Sequence, residues 1–102
     1  MIIAGIVGGA GYTAGELLRI LLRHSEVKVD FVFSTSQAGQ SVSSIHQDLL
    51  GETALTFSGS INLEVDVVFL CLGHGNSKKF LNEHQFSAIT KIIDLSTDFR
   101  ES

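Results

Sequence analysis

The chain has 102 residues, which is enough for one domain with a single hydrophobic core but short for an enzyme that binds two substrates. Its formal net charge is −4 and its basic residues are scattered apart from Lys78 and Lys79, so we expect neither nucleic acid nor a membrane surface as a partner. One cysteine excludes an internal disulfide, and the lack of a signal peptide or a membrane-spanning apolar run predicts a cytoplasmic protein.

The chain opens with a predicted strand, a glycine-rich turn and an amphipathic helix. Residues Ile2–Val7 are apolar and rich in β-branched side chains, which indicates a strand buried on both faces. The helix follows the turn, and its apolar positions recur at helical spacing: Ala14, Leu17, Leu18, Leu21 and Leu22. We expect the helix to end at about His24, where its dipole favours the cations Arg23 and His24.

The glycine turn fits two dinucleotide-binding patterns. G-x-G-x-x-A begins at Gly9 and G-x-x-G-x-x-A begins at Gly8, and in both Gly11 leaves room for a pyrophosphate to approach the backbone N–H groups. Ala14 is small enough for the helix to pack closely on the sheet, and the helix N-terminus favours phosphates. A merely structural tight turn is the alternative. Because a strand precedes the glycines and an amphipathic helix follows them, the dinucleotide site is favoured.

The end of the second predicted strand, over 27–34, indicates which dinucleotide is expected. NAD enzymes place an acid at this point for the ribose 2′-hydroxyl. Asp30 stands at about the expected distance from the glycines, but the strand continues past it, so Asp30 lies inside the strand. The residues at the carboxyl end are Ser34, Thr35 and Ser36, whose hydroxyls can bind a 2′-phosphate without repelling it. The sequence therefore predicts NADP rather than NAD.

The remaining predicted elements continue the alternation of helices and strands. They are a short helix over 43–50, a short strand over 55–57, a strongly apolar central strand over 65–72, a helix over about 77–85 and a last strand over 91–95. This order predicts an α/β fold with a doubly wound, mostly parallel sheet, the Rossmann-type dinucleotide-binding domain. We expect that domain to occupy residues 1–102.

Two further turns follow predicted strands, at the sheet edge where open α/β folds bind ligands. In the first, Gly73 permits close approach of the backbone, and His74 either hydrogen-bonds a cofactor or substrate or is simply solvated. In the second, Ser96, Asp98 and Arg100 are candidates for contacts to cofactor or substrate. None of these residues has the spacing of a metal site, so we expect no metal.

Cys71 is the single cysteine of the chain. A lone cysteine in a predicted oxidoreductase suggests a nucleophile, but Cys71 falls inside the apolar strand predicted over 65–72. Burial as a small core residue is therefore favoured over a catalytic role.

Four strings of the sequence together resemble one enzyme family. Residues 8–17 resemble the G-A-S-G-Y-T-G-A-E-L opening of the N-acetyl-gamma-glutamyl-phosphate reductases, and residues 18–27 resemble that family's L-R-L-L-x-x-H-P-E-V. Residues 66–75 resemble its D-V-V-F-L-A-L-P-H-G, and residues 94–100 resemble its D-L-S-A-D-F-R. The strings span nearly the whole chain in the correct order.

The resemblance implies NADPH-dependent reduction of N-acetyl-glutamyl 5-phosphate to the semialdehyde, with release of phosphate, in arginine biosynthesis. In that family a cysteine thiolate attacks the acyl phosphate and a histidine acts as acid and base. The nucleophile lies in an N-P-G-C-Y motif after D-L-S-A-D-F-R, and no such motif occurs here, so Cys71 does not inherit the role. We expect no catalytic residue in this chain, no turnover by it alone, and a substrate domain outside it. The full-length enzyme is expected to be a homo-oligomer.

The resemblance also assigns cofactor contacts to particular residues. Contacts to the pyrophosphate are expected from Gly8, Gly11, Tyr12, Thr13 and Ala14; contacts to the 2′-phosphate from Ser34, Thr35 and Ser36; and contacts to the inner side of the cofactor from Gly73, His74 and Ser96. Where the family often has Ser-Arg after its second strand, this chain has Ser34-Thr35. The NADP preference is therefore expected to rest on hydroxyls and backbone.

Two other interpretations remain open. The cofactor domain of an aspartate-semialdehyde dehydrogenase shares the fold and the thioester chemistry, but it fits the Tyr12-Thr13 turn and the string D-L-S-T-D-F-R less well. A nucleotide-sensing module without catalysis is the other, because the chain ends before any nucleophile. If the downstream sequence offers no cysteine in an N-P-G-C-like turn, the reductase interpretation fails.

Overall fold

The computed structural model describes residues 1–8, 12–34, 37–45, 55–72 and 76–95 of the chain. Their elements are, in chain order, β1 (Ile2–Val7), α1 (Tyr12–Leu22), β2 (Val27–Phe33), α2 (Val42–Ile45), β3 (Val67–Leu70), α3 (Asn76–Glu83) and β4 (Lys91–Asp94). The strands form one parallel sheet in the order β2-β1-β3-β4. The predicted α/β fold with a parallel sheet is confirmed.

Helices α1 and α3 cover opposite faces of the sheet, as expected of a doubly wound fold. The α1 face is formed by the buried residues Ile6, Ala14, Leu18, Leu21, Val29, Val32, Val42 and Phe57. The α3 face is formed by the buried residues Val7, Phe31, Val65, Val68, Leu70 and Phe80. Because β1 contributes to both faces, its predicted burial on both sides is confirmed. Burial of one such side chain contributes roughly 1.5–3 kcal/mol, which is offset largely by the entropy of ordering the chain.

Several predicted boundaries were wrong by a few residues. Helix α1 ends at Leu22 rather than at His24. The amides of Arg23 and His24 bond the carbonyls of Ile20 and Leu21, three residues back, so the chain tightens into a turn after the helix. The predicted strands over 27–34, 65–72 and 91–95 are Val27–Phe33, Val67–Leu70 and Lys91–Asp94, and the helix over 77–85 is Asn76–Glu83.

The segment between β2 and β3 is less regular than predicted. Helix α2 covers Val42–Ile45 instead of 43–50, and residues 46–50 lie outside the described part of the chain. The predicted strand over 55–57 is not a strand, because Thr56 forms one antiparallel bridge with Ser41 and Ser58 forms one parallel bridge with Phe33. The segment thus changes pairing partner within a few residues, which prevents a regular ladder.

Strand β2 contains a bulge at Asp30 that the sequence pattern does not reveal. β1 pairs Ala4 with Val29 and the next residue, Gly5, with Phe31, so Asp30 has no partner on β1. Val29 consequently lies on the α1 face and Phe31 on the α3 face, although strict alternation would put both on one face. The ring of Phe31 fills the space beside Gly5, since a Cβ added there would lie 2.2 Å from it.

Candidate functional site

The carboxyl ends of the strands lie side by side at one edge of the sheet, called here the carboxyl edge. Val7 at the end of β1 pairs with Phe33 of β2 and with Leu70 of β3, and Leu70 pairs with Asp94 of β4. All the strands therefore end in one row, and the residues that follow them emerge together. Ligands of open α/β folds bind at this edge.

Gly8 follows β1 and lies between the ends of its two neighbouring strands. Its amide donates a hydrogen bond to the carbonyl of Phe33 at 3.0 Å. Its φ is +84°, and an added Cβ would lie 2.8 Å from the carbonyl oxygen of Cys71. The backbone at Gly8 is thus both left-handed and closely packed, which only glycine accommodates without strain.

Helix α1 begins at Tyr12, close after the end of β1, so its N-terminus lies at the carboxyl edge. Thr13 is half-buried, and Ala14 is fully buried on the α1 face. The small side chain of Ala14 lets the first turn of the helix lie close to the sheet, as predicted. The free N–H groups of such a first turn and the helix dipole favour an anion at this position.

Ser34 follows β2 in the same row and is 7% exposed. Its amide donates a hydrogen bond to the carbonyl of Ser58 at 3.0 Å, which fixes the end of β2 against the segment that runs beside it.

Asp30, unlike Ser34, does not lie at the end of β2, as predicted. It is exposed at the bulge inside β2, and its carboxylate accepts a hydrogen bond of 3.2 Å from the amide nitrogen of Asn62. The carboxylate therefore does not stand at the end of the strand.

Cys71 lies one residue beyond β3 and is half-buried, so the prediction that it lies inside the strand was wrong in detail. Burial, and secondarily the carboxylate of Asp94, raises the pKa of Cys71 from 9.0 to about 11. Its thiol is protonated at neutral pH and is not a nucleophile. The preference for a packing role is consistent with this environment.

We expect the Cys71 thiol to react slowly with iodoacetamide at pH 8, and the rate to rise through about pH 11, because only the thiolate attacks. Mass spectrometry of the alkylated chain over pH 7–11 measures this profile. The urea-unfolded chain serves as the control, and its Cys71 should react as an ordinary thiol.

The pKa of Cys71 is higher in the folded chain than in the unfolded chain. The free energy of unfolding should therefore also fall as the pH rises from 9.0 toward about 11. A folded-state midpoint below pH 9 would contradict the assignment.

The other predicted contacts lie outside the described residues. These are Gly11, Thr35, Ser36, Gly73, His74 and Ser96, together with the candidates Asp98 and Arg100. Each follows one of the strand ends by a few positions in the sequence. The structure therefore places Gly8, Thr13, Ala14 and Ser34 at the carboxyl edge, and all the predicted cofactor contacts, of these residues and of the others, stay predictions.

Two neighbours of this site were not singled out in the sequence. Ser58 accepts the amide of Ser34, and the side chain of Leu72 would lie 3.1 Å from a Cβ at Gly8. Both contacts join residues that are distant in the sequence, so no local pattern could have indicated them.

In the part of the chain that is described, no cluster of His, Cys, Asp and Glu could hold a metal ion. No helix there is long and apolar enough to cross a membrane.

Comparison with known proteins gives consistent results. Residues 3–102 match the family described as "Semialdehyde dehydrogenase, NAD binding domain". The chain is 70% identical over 100 residues to an N-acetyl-gamma-glutamyl-phosphate reductase of Christiangramia forsetii and 58% identical over 100 residues to that of Flavobacterium johnsoniae. Each comparison covers 98% of this chain but 31% of the relative. The chain thus spans less than a third of the length of these relatives.

The fold is also similar to that of a solved enzyme. The structure of aspartate semialdehyde dehydrogenase with NADP from Candida albicans superposes with a TM-score of 0.68 at 19% identity. The superposition covers 100% of this chain and 31% of that one. At this identity the likeness concerns the fold alone.

Proposed function

Because the chain belongs to the family of semialdehyde dehydrogenase NAD-binding domains, we propose that it is the cofactor-binding part of an NADP-dependent N-acetyl-gamma-glutamyl-phosphate reductase. The whole enzyme would reduce N-acetyl-glutamyl 5-phosphate to the semialdehyde with release of phosphate, a step of arginine biosynthesis. Relatives of that name at 70% and 58% identity support the proposal. Since the chain spans 31% of their length, the substrate domain and the catalytic residues would lie outside residues 1–102.

The observation that carries the proposal is the close packing of the Gly8 backbone at the carboxyl edge. A side chain there would collide with the carbonyl group of Cys71, and the N-terminus of α1 begins four residues later. Glycine at this position lets the end of β1 lie against the residues that follow β3, and the N-terminus of α1 at the same edge favours an anion such as a pyrophosphate. The residues present therefore fit a dinucleotide.

We assign the contacts as the sequence predicts them. The pyrophosphate would be bound by Gly8, Gly11, Tyr12, Thr13 and Ala14; the 2′-phosphate by Ser34, Thr35 and Ser36; and the inner side of the cofactor by Gly73, His74 and Ser96. The position of Asp30 at the bulge inside β2, before the carboxyl end of that strand, supports a 2′-phosphate over a free 2′-hydroxyl.

The part played by this chain would be binding and orientation. NADPH supplies a hydride when it is bound. The N-terminus of α1 would offset the charge of the pyrophosphate, and the strand ends would hold the cofactor along the carboxyl edge. Cys71 would remain a neutral thiol in the wall beneath Gly8, because its pKa is about 11. No catalytic residue is assigned within the chain.

The proposal extends to the whole protein. We expect a cytoplasmic homo-oligomer that acts on a small-molecule substrate, with neither nucleic acid nor membrane as a partner. The net charge of −4 supports the exclusion of polyanionic partners. The likeness to aspartate semialdehyde dehydrogenase, at 19% identity, does not favour that enzyme's substrate.

We expect NADPH to bind more tightly than NADH, by about fivefold, which corresponds to one net hydrogen bond to the 2′-phosphate. Fluorescence titration of the full-length polypeptide with each nucleotide measures the ratio. The matched control is Asp30→Asn, which should leave the affinity for NADH unchanged because Asp30 lies at the bulge and not at the strand end. Equal affinities for the two nucleotides, or a higher affinity for NADH, would overturn the assignment of the 2′-phosphate contacts.

A second assay, for reduction of N-acetyl-glutamyl 5-phosphate by the same full-length polypeptide with NADPH, tests the reaction itself.

A further inference from the structure

We propose that the hydroxyl group of Ser60 donates a hydrogen bond to the 2′-phosphate of the dinucleotide, beside the end of β2. The inference rests on the proposed function and adds a residue that the sequence did not single out. It follows from the backbone pairing of Ser58 with β2, from the exposure of the serines at that strand end, and from the hydrogen bonds that hold the bend at Ser60.

The segment that ends at Ser58 adds one more member to the row of strand ends. Ser58 forms a parallel bridge with Phe33, on the side of β2 that faces away from β1. Its amide donates a hydrogen bond to the carbonyl of Val32 at 2.8 Å, and its carbonyl accepts one from the amide of Ser34 at 3.0 Å. Because paired parallel segments lie about 4.8 Å apart and end at the same edge, Ser58 lies at the carboxyl edge directly beside Ser34.

The chain reverses its direction just after Ser58. Gly59 and Ser60 form a bend, and the chain then returns along β2 toward the start of β3. The side-chain amide of Asn62 already reaches back to the carboxylate of Asp30 inside β2, to which it donates a hydrogen bond of 3.2 Å. The bend at Ser60 is therefore the part of this segment that lies at the carboxyl edge, next to the end of β2.

The serines beside this strand end differ in their exposure. Ser34 is 7% exposed and offers little surface to a ligand. Ser58 is half-buried, whereas Ser60 is exposed. Of these three residues, Ser60 is therefore the one whose hydroxyl group a bound nucleotide can reach most readily.

Hydrogen bonds within the bend leave the Ser60 hydroxyl available to a phosphate. The hydroxyl of Ser58 donates to the carbonyl of Ser60 at 2.7 Å and accepts the amide of Ser60 at 3.0 Å, and these two bonds hold the bend. The two hydroxyl oxygens are 3.3 Å apart, which is long compared with the usual O–H···O distance of about 2.7–2.8 Å. The Ser60 hydroxyl thus gives up only a weak contact when it donates to a phosphate oxygen, and a hydrogen bond to an anion is stronger than one between neutral groups.

The surroundings of the bend do not repel an anion. The turn over residues 37–40 lies against it, since a Cβ added to Gly59 would lie 3.5 Å from the Cβ of Ala38. Residues 37–40 and 58–60 contain no acidic side chain. In these two turns a 2′-phosphate would therefore meet only neutral groups.

The first experiment compares Ser60→Ala with the matched variant Ser25→Ala in the full-length polypeptide. Ser25 is also exposed, but it precedes β2 and lies at the opposite edge of the sheet. We expect Ser60→Ala to weaken NADPH binding about threefold to fivefold, as for the loss of one net hydrogen bond, and to leave NADH binding unchanged. Ser25→Ala should change neither affinity, and Ser60→Thr, which keeps a hydroxyl group, should retain the preference for NADPH. Circular dichroism and urea unfolding check that every variant folds as the unaltered protein does.

The second experiment places a negative charge at the same position. Ser60→Asp should weaken NADPH binding more than Ser60→Ala does, because its carboxylate would repel the 2′-phosphate. It should not weaken NADH binding, since a carboxylate can accept a hydrogen bond from the free 2′-hydroxyl. Fluorescence titration with each nucleotide measures both affinities.

The other outcomes decide against the inference. An unchanged NADPH affinity in both Ser60→Ala and Ser60→Asp, or an equal loss for NADPH and NADH in either, would show that Ser60 does not contact the 2′-phosphate. If the unaltered protein prefers NADPH and both variants keep that preference, this inference alone fails. If the unaltered protein binds neither nucleotide, the proposed function fails with it.

Discussion

Replacing Gly8 by alanine should lower the free energy of unfolding by roughly 2–5 kcal/mol and abolish binding of the dinucleotide. A left-handed backbone costs a non-glycine residue about 1–2 kcal/mol. The new methyl group would also lie 2.8 Å from the carbonyl oxygen and 2.9 Å from the carbonyl carbon of Cys71, both of them backbone atoms. Relief of that clash requires the ends of β1 and β3 to separate, at an overpacking cost of about 1–3 kcal/mol.

A matched control separates the two contributions at Gly8. Gly39 has a similar φ of +91°, but an added Cβ there meets nothing within 4 Å. Gly39→Ala should therefore cost only the conformational part, about 1–2 kcal/mol. Urea unfolding of both variants gives the difference, and titration with NADPH gives the loss of binding. Equal destabilisation by the two substitutions would show that the contact with Cys71 is unimportant.

Replacing Gly5 by alanine should destabilise the fold by about 3 kcal/mol, at the upper end of the usual overpacking range. The backbone of Gly5 is not left-handed, so the effect is purely steric. A Cβ at this position would lie 2.2 Å from two ring atoms of Phe31, which is buried on the α3 face. The ring cannot move without displacing its neighbours in that face, because protein interiors are close-packed.

The steric cause at Gly5 can be tested by shortening its partner. Phe31→Leu removes the ring atoms that the new methyl group would meet, at the expense of some buried area. The double variant Gly5→Ala, Phe31→Leu should then be more stable than Gly5→Ala alone, with a coupling energy of at least about 1 kcal/mol in urea unfolding. Additive effects of the two substitutions would contradict the proposed contact. NADPH titration of the double variant shows whether the carboxyl edge is restored with the fold.

The sequence predicted the parallel strands and the edge at which a ligand is expected, but it did not predict the detailed pairing of the sheet. The apolar segments around Val7, Phe33 and Leu70 predicted parallel strands, and the small or polar residues after them predicted the ligand edge. The predicted bounds of the strands were less accurate, because a strand ends where its neighbouring strands stop pairing with it, and that pairing is not visible in the local sequence. Asp30 shows the difference clearly. Its place inside β2 was predicted, but the bulge there depends on pairing with β1.

The sequence by itself determined the fold class and the order of the main strands and helices, because periodicity, turn residues and helix termini are local properties. Only the tertiary structure decided the common row in which the strands end, the contact of Gly5 with Phe31, and the placement of α3 beside Phe33. These features depend on close packing between residues far apart in the chain, where a single methyl group or ring sets the register.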